Sequence, residues 1–390
     1  MTFDPISYSL AKRKSAGGVV YSSSEPSDKS VVWFDTNTRK PKIYDNQKGE
    51  WGRLGYYIGY PYFDNNVGGG WPNYVNIPIT TSPSESVQYK IEINGDNINV
   101  YSNDGTTVLT TGTGGLYFWR AIQTDGKDIR VFDETYSQNY FWVEKFDYAN
   151  QNAVIWVKLN AGQEEVNIAY GNDDCLVSDY NDGNMTFEFF DDFSSGSLNG
   201  WKILQDNSSC TASVVQYDGK YMAKLYATED DANSVGIAYP FAASNKGYII
   251  ETYAITDTIV DGVYTGFTDG TIVSSKWGFP QNGYLFAFAR GLNTWSGIQV
   301  IQNSAEINST KADTQFNTNT YYVCSGLWYS NTLENYINYS KTASLTDSTF
   351  SNFDYIYVSV DKGTWYFDWV RVRKYLPSDL SFGTPTIKEF

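Results

Sequence analysis

Three carboxylates near the two ends of the C-terminal half are the first residues whose types and positions could do chemistry. Asp191 and Asp192 are adjacent, and Asp368 lies in an apolar stretch where strand alternation places it on the same side as Val370. An acidic side chain on an apolar face is costly unless it is paired, hydrogen-bonded or bound to a metal. We therefore expect either an inter-strand hydrogen bond or salt bridge, with Arg371 as one candidate partner, or a calcium site built from carboxylate and carbonyl oxygens.

Aromatic side chains in polar loops are the second group of candidates, because sugars stack on flat apolar rings while their hydroxyls need donors and acceptors. The candidate ligand-binding rings lie in or beside stretches rich in Asn, Ser and Gly: Trp277, Tyr284, Trp295 and Trp328. Of these, Trp295 is flanked by turn-forming residues in GLNTWSG, so we expect it to be exposed. The alternative for all four is core filling, which we expect for Trp201, Trp365 and Trp369.

The chain lacks the residues that several kinds of catalysis need. The chain has no histidine, so it has no imidazole base, no Ser–His or Cys–His nucleophile and no histidine metal ligand. It also lacks the alternating carboxylates (ExDxE) with which a strand presents a glycosidase pair, the GxSxG nucleophile turn and the phosphate-binding GxxxxGK[ST] loop. We therefore predict that the protein is not an enzyme, with a glycoside hydrolase as the third-ranked alternative.

Four Asn-x-Ser/Thr sequons are candidate glycosylation sites: Asn184, Asn207, Asn308 and Asn338. Chance occurrence in a chain rich in Asn, Ser and Thr is the alternative. The three cysteines (Cys175, Cys210 and Cys324) are far apart and form no CxxC motif, so they are either three buried thiols or one disulfide with a leftover thiol.

The elements that must position these residues are β-strands. The chain has 390 residues, with 12 Trp, 33 Tyr, 22 Phe and 33 Gly, a composition typical of aromatic-rich strands joined by glycine turns. Tyr89, Ile91 and Ile93 alternate with polar residues, and Asn94-Gly95 then predicts a hairpin turn. No segment shows a sustained helical period. The pattern predicts an all-β protein: an extended N-terminal arm with a small hairpin, then two antiparallel β-sandwich or jelly-roll-like modules.

The positions of turn-forming residues and prolines between the predicted strands indicate four regions. Residues 1–58 form the arm with an aromatic hairpin, and residues 59–190 form a β-rich module. Residues 191–377 form a second sandwich, and residues 378–390 form a tail that begins after Pro377.

Charge is divided unevenly along the chain. The formal net charge of −16 argues against nucleic acid or an anionic membrane as a partner, and no stretch approaches the ~18 apolar residues of a membrane span. Residues 1–60 nevertheless carry nine basic and six acidic side chains. The N-terminus lacks the apolar core of a secretory signal, so we expect synthesis in the cytoplasm unless an earlier signal was removed.

Several motifs occur in the order typical of one family: DGKDIRVFD (125–133), FWVEKF (141–146), AVIWVKL (153–159), IAYGN (168–172) and FEFFDDF (187–193). Over residues 60–193 the chain resembles the domain of unknown function 2341, a β-rich module of archaeal and bacterial surface proteins. In that family a concanavalin-like sandwich typically follows the module. The stretch GTWYFDWVRVRKY (363–375) resembles the closing strand of such lectin-like sandwiches. The resemblance implies architecture and surface exposure, and it implies no reaction.

Residues 24–51 are similar to short aromatic hairpins in tail fibres and other structural proteins of phages and viruses, with the pattern SEPSD, WFDT, KIYD and W. Together with the missing signal, this favours a virion component assembled in the host cytoplasm.

These observations predict a structural virion surface protein, a spike, fibre or adhesin-like subunit of an archaeal virus or phage that presents its sandwiches for host attachment. Its expected partners are other virion proteins through residues 1–58 and a host glycan or glycoprotein, and we expect a homo-oligomer with no cofactor other than the calcium alternative. A cellular, extracellular carbohydrate-binding protein is the second hypothesis. A stalk or membrane anchor in the gene would favour the second hypothesis, and neighbouring capsid or tail genes the first.

Overall fold

The computed structural model describes residues 19–27, 32–35, 40–45, 50–53, 71–172, 175–205, 209–228, 234–258, 261–271, 280–289 and 294–389. Much of the predicted N-terminal arm lies outside these ranges, as do the predicted site residues Trp277 and Asn207.

Four short strands form a sheet of their own near the N-terminus: β1 (Val19–Ser22), β2 (Val32–Asp35), β3 (Lys40–Asp45) and β4 (Glu50–Arg53). β1 pairs with β2 in parallel, whereas β2, β3 and β4 form an antiparallel meander. Trp33 is buried, and its indole Nε1 donates to the Ser22 carbonyl at 3.0 Å. β2 and β3 form the small aromatic hairpin that was predicted within residues 1–58.

The first sandwich packs two antiparallel sheets face to face. Its elements are β5 (Asn73–Pro78), β6 (Val87–Asn94), β7 (Asn97–Tyr101), β8 (Val108–Thr113), α1 (Gly115–Ala121), β9 (Arg130–Phe132), β10 (Phe141–Asp147), β11 (Asn152–Leu159), β12 (Glu165–Tyr170) and α2 (Gly183–Thr186). One sheet has the order β10-β11-β6-β7-β8 and is called the five-stranded sheet below; in the other, β5, β12 and β9 lie side by side.

Residue alternation explains how these sheets meet. On β6, Tyr89, Ile91 and Ile93 point into the core between the sheets, where Ile155 of β11 and Ile168 of β12 join them. The turn after Asn94 is the predicted one, and Gly95 adopts the left-handed conformation (φ 55°) that it requires. The predicted alternation on β6 is therefore confirmed.

The second sandwich contains fourteen strands among the described residues: β13 (Phe189–Asp191), β14 (Lys202–Gln205), β15 (Thr211–Tyr217), β16 (Lys220–Ala227), β17 (Val235–Ser244), β18 (Tyr248–Ile255), β19 (Asp261–Thr268), β20 (Asn282–Ala289), β21 (Trp295–Gln302), β22 (Ala305–Asp313), β23 (Tyr322–Tyr329), β24 (Thr332–Ile337), β25 (Ser340–Thr346) and β26 (Asn352–Lys374).

The 23-residue strand β26 belongs to both layers of this sandwich. Its first half pairs with β17 and β19 in what we call the distal sheet, and its second half pairs with β16 and β18 in the junction sheet. The crossing occurs near Gly363, whose φ of 89° is open to glycine but strained for other residues. The turn-forming sequence Asp361-Lys362-Gly363 is thus a bend within one continuous strand. The two layers enclose a large apolar core, and the predicted all-β class is confirmed.

The C-terminal segment, predicted as a tail, instead completes the first sandwich. Strand β27 (Thr386–Glu389) pairs antiparallel with β5, so that the second sheet of the first sandwich has the order β27-β5-β12-β9. Leu380 is buried in the core of the first sandwich, and the Phe382 ring lies 5.0 Å from that of Tyr89. The chain therefore returns to its first module because apolar side chains after Pro377 have a core to fill there.

Among the described residues, no helix is both long and apolar enough to cross a membrane. The three cysteines are buried, and burial raises the pKa of Cys175 to about 12.

Candidate functional site

The two sandwiches meet through the outer faces of two sheets. The five-stranded sheet presents Trp156 and Lys90, the residues that alternate with its core positions, and β10 adds Trp142 and Glu144 at its edge. The junction sheet faces them with the second half of β26 and with β18 and β23. Both sheets are therefore covered on two faces, which accounts for near-continuous apolar runs such as AVIWVKL.

Charged side chains occupy the centre of this contact, and we call Arg371, Arg373, Glu251, Glu144 and Tyr339 the arginine cluster. Arg371 donates from Nε to Glu251 Oε2 at 2.6 Å and from Nη1 to Glu144 Oε2 at 2.8 Å. Its Nη2 donates to the Tyr339 hydroxyl at 3.0 Å. Glu144 belongs to the first sandwich and Glu251 to the second, so one guanidinium joins the two modules.

Arg373 makes a second bridge two residues further along β26. Its Nε and Nη2 donate to the two oxygens of Glu251 at 3.0 and 3.1 Å. Its guanidinium also donates to the carbonyl oxygens of Asn103 and Asp104 in the first sandwich, the latter at 2.9 Å. The side chains of Arg371, Arg373 and Glu251 are fully buried. Burial alone would raise the pKa of Glu251, but the two guanidiniums outweigh it and lower that pKa to about 2.

Aromatic rings surround the Arg371 guanidinium. Its central carbon lies 4.3 Å from the ring centroid of Trp369, 4.4 Å from that of Trp156, 4.9 Å from that of Phe187 and 5.5 Å from that of Trp142. A guanidinium can stack on rings with its faces while its edge donates hydrogen bonds, so this buried cation is both paired and enclosed.

Lys90 and Tyr339 extend the junction to one side. The Lys90 ammonium lies 3.8 Å from the ring centroids of both Tyr101 and Tyr339 and donates to the Gly105 carbonyl at 2.7 Å. Burial lowers the pKa of Lys90 to about 8. Asn338 and Tyr339 form the turn between β24 and β25 with φ of 48° and 62°, a strained choice for a tyrosine that directs its ring into the junction.

An open cleft of about 690 Å³ lies at the edge of this contact, and we call it the junction cleft. The first sandwich lines it with residues of β10, and the second with the loop after β13, the start of β16, and β18 and β26: Trp142, Val143, Glu144, Lys145, Phe146, Asp192, Ser194, Lys220, Tyr221, Tyr253, Asp368 and Trp369. Tyr221 is 44% exposed, the Trp369 ring stacks on Tyr253 at 5.7 Å, and Trp142 meets Trp369 edge to face at 5.6 Å.

Two β-bulges aim carboxylates at this cleft. On β26 the pairing with β18 shifts by one residue, so that Tyr253 opposes Trp369 while Ala254 opposes Phe367, and Asp368 is the extra residue. The prediction that Asp368 shares a side with Val370 is therefore wrong, because the bulge breaks the alternation. On β10, Glu144 is likewise the unpaired residue at a register shift.

The three predicted carboxylates all have protein partners. Asp368 accepts from the Lys220 ammonium at 2.7 Å, which is the salt-bridge alternative. Asp191 accepts from the Trp201 indole at 2.7 Å and from the Phe193 amide at 2.8 Å, and burial raises its pKa. Asp192 is exposed and accepts from the Ser194 amide and hydroxyl.

The first and last strands of the second sandwich are neighbours, since β13 pairs with β26. Asp191 nevertheless bonds to Trp201 rather than to Arg371. Within the described ranges, no group of three or more carboxylates and thiols is placed to hold a metal ion. The partners that the structure gives these carboxylates are the hydrogen bonds and the ion pair described above.

The three predicted aromatic candidates that the structure describes are not among the residues that line this cleft. Tyr284 and Trp328 are wholly buried in the core of the second sandwich, where their rings meet at 5.2 Å, so the core alternative is correct for both. Trp295 is half-buried rather than exposed, because it opens β21 and the Lys311 ammonium lies 4.7 Å from its ring centroid. Trp201 and Trp365 fill the core as expected, whereas Trp369 is buried by the other module.

The sequons have different surroundings. Asn184 is exposed at the start of α2. Asn308 donates to Asp347 at 3.1 Å, and the Asn338 side chain accepts from the Val323 amide at 2.9 Å, so the side chains of these two already have partners.

Sequence reasoning missed Trp142, Glu144, Tyr221, Glu251 and Arg373 as site residues. One signal was available for two of them: a carboxylate inside the run YIIETYAI and an arginine alternating with valines in VRVR both require buried partners. No local pattern distinguishes Tyr221 from the other tyrosines.

The family described as a domain of unknown function, DUF2341, matches residues 125–203. The resemblance predicted from the motifs is therefore confirmed over this segment, which runs from β9 into β14 and contains Trp142, Glu144 and Trp156 of the junction. No curated protein matches the chain.

Several solved structures align with about half of this chain. The carbohydrate binding module CBM66 from Bacillus subtilis aligns with a TM-score of 0.35 and 14% identity over 45% of this chain and 96% of that one. A β-glucanase from Bacillus licheniformis aligns at 0.36 and 13% identity, over 48% and 98%. A galectin-like protein of unknown function from Bacillus subtilis aligns at 0.38 and 9% identity, over 48% and 96%. These TM-scores are below 0.5, so the fold is defined by the strand pairings described above and not by these alignments.

Proposed function

We propose that this protein is a non-enzymatic attachment protein that binds a glycan in the junction cleft. The observation that carries the proposal is the cleft itself, with a volume of about 690 Å³ and walls that combine aromatic rings with charged and hydroxyl groups. Ligand sites of this size hold small molecules through apolar rings and a few oriented polar groups. Carbohydrates need both, because their C–H faces stack on rings and their hydroxyls need donors and acceptors.

The polar groups of the cleft suit sugar hydroxyls. Asp368, Asp192 and Ser194 offer acceptors, and Lys220 and the exposed Lys145 offer donors. Tyr221 provides an exposed ring in the same cleft. These side chains come from both modules, so a bound glycan would contact both.

The carboxylates of the cleft favour binding over hydrolysis. Glycoside hydrolysis requires a protonated carboxylic acid near a second carboxylate. Glu144 is bonded to Arg371, Asp368 to Lys220, and Asp192 to the Ser194 amide and hydroxyl, so all three already have partners in the protein.

We propose the virion surface as the setting, with other virion proteins bound through residues 1–58 and the sandwiches displayed toward the host. The basic balance of residues 1–60 on an acidic chain and the resemblance of residues 24–51 to fibre hairpins support this placement. Shallow sugar sites are individually weak, and a millimolar dissociation constant corresponds to only about −4 kcal/mol. Attachment would therefore use several copies presented together, in a homo-oligomer or on one particle.

The cleft is tested by displaying the full chain on streptavidin and measuring its binding to a panel of immobilised neutral, sulfated and sialylated oligosaccharides. We expect Tyr221→Ala to reduce binding at least tenfold. Tyr226→Ala is the matched control, since Tyr226 lies on the same strand, is 38% exposed and lies outside the cleft. Circular dichroism checks that both variants fold.

No binding to any oligosaccharide, or equal binding by wild type and Tyr221→Ala, would overturn the proposed site. Release of reducing sugar by the unmutated chain would instead favour the glycosidase hypothesis. Immunogold imaging decides the setting, because label on cells and none on particles contradicts the virion placement.

A further inference from the structure

Arg371 is fully buried, yet it contacts three residues that line the junction cleft. It bonds to Glu144 at 2.8 Å, and its guanidinium carbon lies 4.3 Å from the ring centroid of Trp369 and 5.5 Å from that of Trp142. Two of these residues belong to the first sandwich and one to the second. A side chain with this set of contacts determines how the two walls of the cleft stand relative to each other.

We infer that Arg371 is a positioning residue for the junction cleft, setting the glycan affinity of a site that it does not itself line. The effect on glycan affinity rests on the proposed function, whereas the positioning of the cleft walls rests only on the contacts of Arg371.

Only an arginine satisfies all of these contacts. The planar guanidinium donates along its edge to Glu251, Glu144 and the Tyr339 hydroxyl, and its two faces remain available to the rings. A lysine has three donors on one flexible point charge and no flat face. Replacing Arg371 by lysine would retain the buried charge. It would remove the contacts that hold the Trp142 ring, the Trp369 ring and Glu144 around one side chain.

Arg373 is a natural control for the effect of stability alone. It lies on the same strand and the same face, and it shares Glu251 with Arg371. Its other partners are the Asn103 and Asp104 carbonyls and the Trp156 ring, whose centroid lies 4.8 Å from its guanidinium carbon, and none of these residues lines the cleft. Trp156 donates to Glu144 at 2.7 Å, so Arg373 reaches the cleft wall only indirectly. Arg373→Lys therefore weakens the junction while it leaves the contacts of Arg371 with Glu144, Trp142 and Trp369 in place.

The experiment compares Arg371→Lys and Arg373→Lys in the full chain labelled with 5-fluorotryptophan. The fluorine resonances of Trp142 and Trp369 are assigned from Trp142→Phe and Trp369→Phe. We expect Arg371→Lys to shift both resonances and to lower the oligosaccharide binding of the displayed chain at least tenfold. Arg373→Lys should lower the unfolding midpoint, leave both resonances in place and change binding less than twofold.

Unshifted resonances in Arg371→Lys, or equal losses of binding in the two lysine variants, would overturn the inference. If the unmutated chain binds no oligosaccharide, the proposed function fails while the fluorine spectra still decide the positioning role. If Arg371→Lys does not fold, Tyr339→Phe takes its place, because it removes only the hydroxyl that bonds to Arg371 and Glu144. It should shift the same two resonances, and unchanged spectra would count against the inference.

Discussion

One carboxylate and two guanidiniums share the centre of the junction, where none of the three is exposed to water. Glu251 accepts from both arginines and, at 3.3 Å, from the Ser325 hydroxyl. A buried ion pair adds little net stability compared with apolar residues of the same volume, but removing one partner leaves buried charge uncompensated at about 3–5 kcal/mol. At the scale of single residues, the contact between the modules therefore depends on Glu251 remaining ionised.

Stability should consequently depend on pH through Glu251. Its pKa is lowered from the ordinary 4.5 to about 2, so its contribution is complete above about pH 4.5 and is lost as the pH falls toward 2. At ~1.4 kcal/mol per pKa unit the loss is about 3 kcal/mol. Urea unfolding of wild type and Glu251→Gln should differ by about 3–5 kcal/mol at pH 6 and by much less near pH 2.

Other carboxylates titrate in both proteins, so the difference between them isolates Glu251. Glu164→Gln, at an exposed position, is the control and should change the free energy of unfolding at pH 6 by less than about 0.5 kcal/mol. A wild-type advantage over Glu251→Gln that is the same at pH 6 and at pH 2 would contradict the assignment.

At the scale of elements, the C-terminal segment connects the end of the second sandwich to the core of the first. Leu380 is buried there, and its amide donates to the Tyr89 hydroxyl at 2.9 Å. Strand β27 then pairs with β5, and Ile387 packs against Gly114, where a Cβ would lie 2.5 Å from its side chain. A short strand at the end of the chain thus completes a sheet that begins near residue 73.

Truncating Leu380 should therefore destabilise the first sandwich, although the residue follows the second sandwich in the chain. We expect Leu380→Ala to lower the free energy of unfolding by about 2–5 kcal/mol, the usual cost of a cavity in a core. The adjacent exposed Ser381→Ala should change it by less than about 0.5 kcal/mol. Hydrogen exchange locates the effect, and faster exchange confined to the second sandwich would contradict it.

At the scale of the whole molecule, the segment that matches the family is not a separate folding unit. Residues 125–203 contain β9 to β13, and within the segment β10 pairs with β11 and β9 pairs with β12. The strands that complete each sheet lie elsewhere in the chain. β11 pairs with β6, β12 with β5, and β13 with β26. The segment thus supplies strands to both sandwiches and one wall of the junction cleft.

A polypeptide of residues 125–203 should be unfolded in isolation, because it retains only two two-stranded pairs, β10 with β11 and β9 with β12, and β13 loses its partner. A chain of residues 71–389 should fold and should unfold in a single transition, since the arginine cluster and β27 join its modules. Far-UV circular dichroism and amide dispersion in NMR spectra check both. A folded 125–203 fragment, or two separate transitions in 71–389, would show that the modules are independent.

The sequence by itself determines the all-β class, the alternating core of β6, the N-terminal hairpin and the resemblance of residues 125–203 to a known family. These features depend on local patterns, since a period of two specifies which face of a strand is apolar. Composition also indicates which catalytic side chains the chain lacks, histidine among them. Local patterns cannot indicate what covers the second face of a strand. Arg371 and Asp368 are both charged residues in the same apolar stretch, although aromatic rings enclose the first and the second borders a cleft.

Only the tertiary structure decides those outcomes, and the physical reason lies in register and long-range contact. A bulge at Asp368 and another at Glu144 turn each carboxylate out of its strand's alternation, and nothing in the neighbouring residues requires either bulge. Tyr284 and Trp328 become core residues because two sheets close over them, whereas Tyr221 stays exposed because the first sandwich ends beside it. The cleft exists because two modules dock at one edge, and that placement depends on contacts between residues more than 200 positions apart.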